Sequence, residues 1–160
     1  MDEQTKEVIE AFIEESQGII DSLEEPLSGL ENGEGTPDDF ANVALKIDGI
    51  MGCAKTLGLG GMQEVGPAMQ VISNLSEGCK ALGYRASQVK EPEVGTIIAG
   101  FLAEAIEMLS NALRDLRKGY ISIDTAHANR IRERLIWIST KLKLSPKDQM
   151  AIMARFGIKG

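Results

Sequence analysis

Apolar side chains recur along the chain at steps of three and four residues, and strand-like alternation is nearly absent, so the reading is all-α. Ile9, Phe12, Ile13, Ile19, Ile20, Leu23, Leu27 and Leu30 form one stripe of a helix running from about Thr5 to Leu30. Pro26 falls inside it, removes a backbone donor and predicts a kink or a restart. After the turn ENGEGTPDD, Thr36 suits an N-cap, Pro37 the first helical position, and Asp38 and Asp39 the positive end of the helix dipole. The second helix carries Phe40, Val43, Ala44, Ile47, Ile50, Met51, Ala54 and Leu57 inward and runs out at Gly58, Gly60 and Gly61. A third, from about Met62 to Leu82 with Gly66 and Pro67 near its start, turns Met62, Val65, Met69, Ile72, Leu75 and Leu82 inward.

The polar segment GYRASQVKEP, residues 83–92, reads as the longest internal loop. A fourth helix from about Glu93 to Lys118 follows, with Ile97, Ile98, Phe101, Leu102, Ile106, Leu109, Leu113 and Leu116 on one face and Gly119 as its stop. A fifth, from about Asp124 to Leu142, turns Ile131, Leu135, Ile138 and Leu142 inward; Ser145 and Pro146 then open a short C-terminal helix. Long amphipathic helices with short connections predict an antiparallel up-down four-helix bundle with a fifth helix, over residues 1–142, and an extension over 143–160. In that extension Met150, Ile152, Met153 and Phe156 form an apolar face that either packs back on the bundle or meets a partner.

Composition narrows the function. The chain has 160 residues, enough for one core, and a net charge of −7 that opposes binding to nucleic acid. Cys53 and Cys79 lack metal-ligand spacing and are expected to be reduced, half-buried thiols, so no metal and no cofactor is expected. The acidic N-terminus is unlike a signal peptide, and no uninterrupted apolar run approaches the ~18 residues of a membrane span. A cytoplasmic protein is expected, with no membrane partner. P-loop, HExxH and GxSxG motifs are absent, and the single histidine, His127, one turn before Ile131, reads as a partly buried structural residue.

The stretch KIDGIMGCAKTLGLGGM, residues 46–62, resembles the histidine phosphotransfer (HPt) family. That family's second helix carries H-x-[IL]-K-G-x-A followed by T-[LF]-G-[LF], and the likeness is greatest to the phosphotransfer domain of chemotaxis-type histidine kinases. Here Asp48, Gly49, Ile50, Met51, Gly52, Cys53 and Ala54 precede Thr56, Leu57, Gly58 and Leu59. The resemblance covers roughly residues 5–142 and implies that Asp48 stands at the phosphoacceptor position. It also implies that Met51 replaces the phosphate-binding lysine, Gln70 the glutamate that orients the histidine, and Pro67 a second histidine.

With nucleophile, clamp and orienting base all changed, no phosphate transfer is expected and no enzyme activity follows. A receiver domain phosphorylates its own aspartate with a magnesium site of several acids and a lysine, and nothing in the spacing assembles such a site around Asp48. The resemblance implies a non-catalytic pseudo-HPt protein that binds a response-regulator receiver or a histidine kinase through Leu45, Asp48, Gly49, Gly52 and Lys55. Two glycines inside a helix cost roughly 1 kcal/mol each relative to alanine, and close approach of a partner backbone is one reason to keep them. The other is tight packing within the bundle. Two further readings stay open: a receiver phosphatase using Asp48 with Gln70 as the water-positioning amide, and a helical scaffold unrelated to phosphorelays. The oligomeric state is not fixed by the sequence.

Overall fold

The computed structural model describes residues 3–59, 66–118, 133, 134, 136–138, 140 and 143–157. These residues are all-helical, with no strand among them. The helices are α1 (Glu3–Glu31), α2 (Pro37–Leu59), α3 (Gly66–Ala86), α4 (Pro92–Arg117) and the C-terminal α5 (Pro146–Arg155). Each of the four long helices packs against two others, in the order α1, α2, α3, α4 and back to α1, and α5 lies on α3.

Local chemistry sets the ends. The residues closing α1 form a Schellman motif: the Glu34 N–H donates to the Gly29 carbonyl at 2.8 Å and the Gly33 N–H to that of Leu30 at 3.2 Å, with Gly33 at φ 75°. At the start of α2 the Asp39 carboxylate reaches back to the Thr36 N–H at 2.8 Å, one half of a capping box. Ser145 caps α5, its hydroxyl accepting from the Asp148 N–H at 3.1 Å.

Cross-helix contacts define the directions. Arg117 pairs with Glu10 at 2.8 Å and the Ser110 hydroxyl donates to Gln17 at 3.2 Å, so α1 and α4 run antiparallel. Lys46 reaches Ser22 while Gly49 lies by Ile19, and Gly83 lies by Ala44, Lys80 by Asp48 and Glu77 by Lys55, so α1 and α2, and α2 and α3, are antiparallel in turn. The interior is aliphatic: Leu23, Ile47, Ile50, Met69, Ile72, Leu82, Ile98, Leu102, Leu109, Leu113 and Ile138 are the largest fully enclosed side chains among the described residues. Among the described residues, α4 alone has the length and composition of a membrane-crossing helix, contrary to the expectation from uninterrupted runs. Ten of its side chains are buried against the other helices, as in a core helix.

Several expected boundaries shift. α1 continues through Pro26 without a restart. The loop expected over 83–92 shrinks to residues 87–91, because Leu82, Gly83 and Ala86 are buried turns of α3. Gly83 is a packing residue there, since a Cβ would stand 3.1 Å from that of Ala44 and 3.2 Å from the Phe40 carbonyl oxygen. Met51, placed on the inner stripe of α2, is only partly buried. The half-buried thiols resolve into an exposed Cys53 and a buried Cys79, both free, and burial pushes the Cys79 thiol up to about 12. Met62, Val65, His127, Ile131, Leu135 and Leu142 lie outside the described residues, whereas Ile138 is buried in the common core.

The extension does pack back. Met153 and Phe156 belong to the same hydrophobic core as the long helices, and the Phe156 ring meets Phe101 edge-on with centroids 5.9 Å apart. It lies directly over Gly78 of α3, where a Cβ would fall 2.3 Å from the ring. Arg155 adds an ion pair to Glu77 at 2.8 Å.

Candidate functional site

The candidate surface is the outer face of α2 and its seam with α3. Residues 45, 48, 49 and 52 differ by three or four positions along the helix, which brings them to one side of it. Leu45 is 62% exposed although it is a large aliphatic residue. Gly49 and Gly52 are exposed as well. A Cβ on Gly52 would meet nothing within 4 Å, and one on Gly49 only the Ile19 Cδ1 at an ordinary 3.7 Å. Tight packing among the described residues therefore does not explain either glycine. Gly18, Gly29 and Gly100 are equally open, so openness alone marks no site. The α2 pair is distinguished by sharing a strip with an exposed leucine and a cross-helix ion pair.

That ion pair joins Asp48 to Lys80. The Lys80 ammonium donates to Asp48 Oδ1 at 2.8 Å, with the two side chains 30% and 40% exposed. No other side chain among the described residues bonds to either group. Sequence reasoning missed Lys80, because a lysine 32 residues away is brought beside Asp48 only by the antiparallel register of α2 and α3.

The remaining expected residues separate from Asp48. Gln70 donates to Asn74 at 2.9 Å and sits ten residues before Lys80, about 15 Å along the helix axis. The Asp48 and Gln70 pair needed for a water-positioning phosphatase is not brought together. Pro67 is in the first turn of α3, farther still from Lys80. Met51 stays on α2, partly buried. Lys55, expected as a partner contact, is 47% exposed and pairs with Glu77 at 3.3 Å.

Glu77 holds two cations, Lys55 of α2 and Arg155 of α5. Partial burial pushes its carboxyl upward, but the hydrogen bonds and charges of Arg155 and Lys55 outweigh this and hold it below the usual glutamate range. No group of three or more His, Cys, Asp or Glu among the described residues is arranged to hold a metal ion. A separate groove of about 450 Å³ between α1 and α4 is lined by Asp21, Glu24, Glu31 and Glu107 over Ile20 and Ile106, with none of the α2 strip contributing. No protein-family model matches this chain, and neither a curated protein nor a solved structure matches it significantly.

Proposed function

We propose that this chain is a pseudo-HPt protein, an up-down four-helix bundle that binds a response-regulator receiver or a histidine kinase and modulates a phosphorelay without carrying phosphate. The observation that carries the reading is the open strip Leu45, Asp48, Gly49 and Gly52, where two helix-weakening glycines face solvent instead of a neighbouring helix. Retaining them costs stability of order 1 kcal/mol each, and approach of a partner's backbone is a use that offsets such a cost. The ring of four antiparallel contacts accords with the same reading. Among the described residues no group of three acids gathers at Asp48, and the side chain that bonds to its carboxylate is the Lys80 ammonium.

The test is direct binding of the full chain to a panel of purified receiver domains and histidine kinases from the source organism, alongside phosphotransfer from an active kinase. The reading expects binding to at least one member, strong loss with Gly52→Arg, and no phosphate on Asp48 by mass spectrometry. Absence of binding across the panel, or phosphorylation of Asp48, would overturn it.

A further inference from the structure

We propose that Lys80 is the recognition group of this surface, and that its target is the carboxylate-lined, magnesium-binding pocket of a receiver in the metal-free, unphosphorylated state. This deepens the pseudo-HPt reading and rests on it.

Charge gives the first reason. The chain carries 24 acids against 17 bases. Among the described residues, the ion pairs along the α2 and α3 seam set three cations, Lys55, Lys80 and Arg155, against two acids, Asp48 and Glu77. Glu77 takes up two of these cations, so Lys80 is the cation presented beside the strip. A surface of this kind is complementary to an acidic concavity.

Geometry gives the second. An ammonium has three donors, and Lys80 uses one on Asp48 Oδ1, leaving two directed at no side chain among the described residues. The carboxylate holds the lysine across the α2 and α3 seam, so less side-chain freedom is lost when a partner binds. Gly52, one turn beyond Asp48, and Gly49 beside it add no side chain, so the rim of a pocket can descend to the level of the ammonium. Leu45, one turn before Asp48, supplies the apolar contact.

A compact ammonium in a nest of carboxylates occupies the place of a divalent cation, so the two ligands exclude each other. By linkage, magnesium must weaken binding of this protein as much as this protein weakens binding of magnesium. Because a receiver takes phosphate with magnesium in its pocket, the complex selects the resting form.

The experiment measures the affinity of the full chain for a receiver that binds it, in EDTA and in millimolar magnesium. The expected result is affinity about tenfold lower in magnesium, a loss of similar size for Lys80→Gln in EDTA, and little magnesium dependence left in that variant. Lys80→Arg should retain part of the affinity. Circular dichroism and melting verify that each variant is folded. Equal affinity of wild type and Lys80→Gln, or no response of wild type to magnesium, overturns the assignment. If Gly52→Arg still abolishes binding in that case, docking on the strip stands and only the role of Lys80 falls. If wild type binds no receiver at all, both fall.

Discussion

Replacing Gly78 with alanine should destabilise the protein, although helix propensity alone says the opposite. Alanine in a helix interior is worth about 1 kcal/mol over glycine. At Gly78 the new methyl would lie 2.3 Å from Cδ1 and Cγ of Phe156 and 2.4 Å from Cδ2, so the ring must retreat by more than an ångström. Overpacking of this sort costs typically ~1–3 kcal/mol, which leaves a net loss of about 1 kcal/mol. If the ring gives up its site beside Phe101 altogether, the loss approaches the ~3–5 kcal/mol of a phenylalanine truncation, less the propensity gain. Gly52→Ala is the matched control, because its methyl meets nothing within 4 Å and should stabilise by ~0.5–1 kcal/mol. The two variants should thus differ by roughly 2 kcal/mol, or about 4–8 °C in Tm for a chain of this size. Urea unfolding followed by circular dichroism gives the comparison, and a cycle with Phe156→Ala isolates the cause. Once the ring is gone, Gly78→Ala should become stabilising. Equal gains from Gly52→Ala and Gly78→Ala in the intact protein would refute the packing of α5 on α3.

Other outcomes follow from the same contacts. A thiol reagent at pH 8 should modify Cys53 quickly and leave Cys79 untouched until the protein unfolds, as shown by peptide mass spectrometry. The folded-state value of Cys79 is raised to about 12 from 9.0, so its contribution to stability is complete below the unfolded value and is lost as pH climbs from there through about 12; Cys79→Ala should flatten that alkaline decline. Glu77 has the opposite sign: its folded value is lowered from 4.5, so its contribution is present above that value and is lost as pH falls through the folded one. Glu77→Gln should therefore reduce the acid sensitivity of melting curves. Asp48→Asn should shift stability by less than ~1 kcal/mol, since its ion pair is partly solvated, so changes in binding cannot be attributed to unfolding. Asp48→His should give little phosphotransfer in a kinase assay, because Met51 and Gln70 offer no support; efficient transfer by that variant would show that the supporting residues matter less than argued.

Apolar spacing was enough to find α1, α2 and α4 nearly to their ends, because each has a stripe whose burial decides its position, and Ser145 with Pro146 marked the start of α5. Pairings between helices were not legible. Nothing local to Lys80 names Asp48, and an ungapped match to a family pattern selected Gln70, about three helical turns away from the contact that forms. Glycines were ambiguous for the same reason. Gly83 was read as a loop signal and is a helix-packing position against Ala44, Gly78 makes room for Phe156, and Gly52 faces nothing. The sequence shows the missing side chain in all three cases, but only the fold shows what occupies the space.

The seat of Phe156 on Gly78 also determines where this chain can be cut. A fragment ending near residue 142, where helical spacing alone would draw a border, lacks Met153 and Phe156 and leaves the edge of Phe101 and the flank of α3 uncovered. Such a fragment gains a sticky apolar surface at the same moment that Arg155 leaves Glu77. Of its two cations among the described residues Glu77 then keeps Lys55, which projects from the same helix as the strip. Shortening the tail is thus a poor route to a minimal binding domain: it would raise self-association and disturb the α2 surface together, and a loss of partner binding by a truncated protein would say nothing about direct contact with the tail.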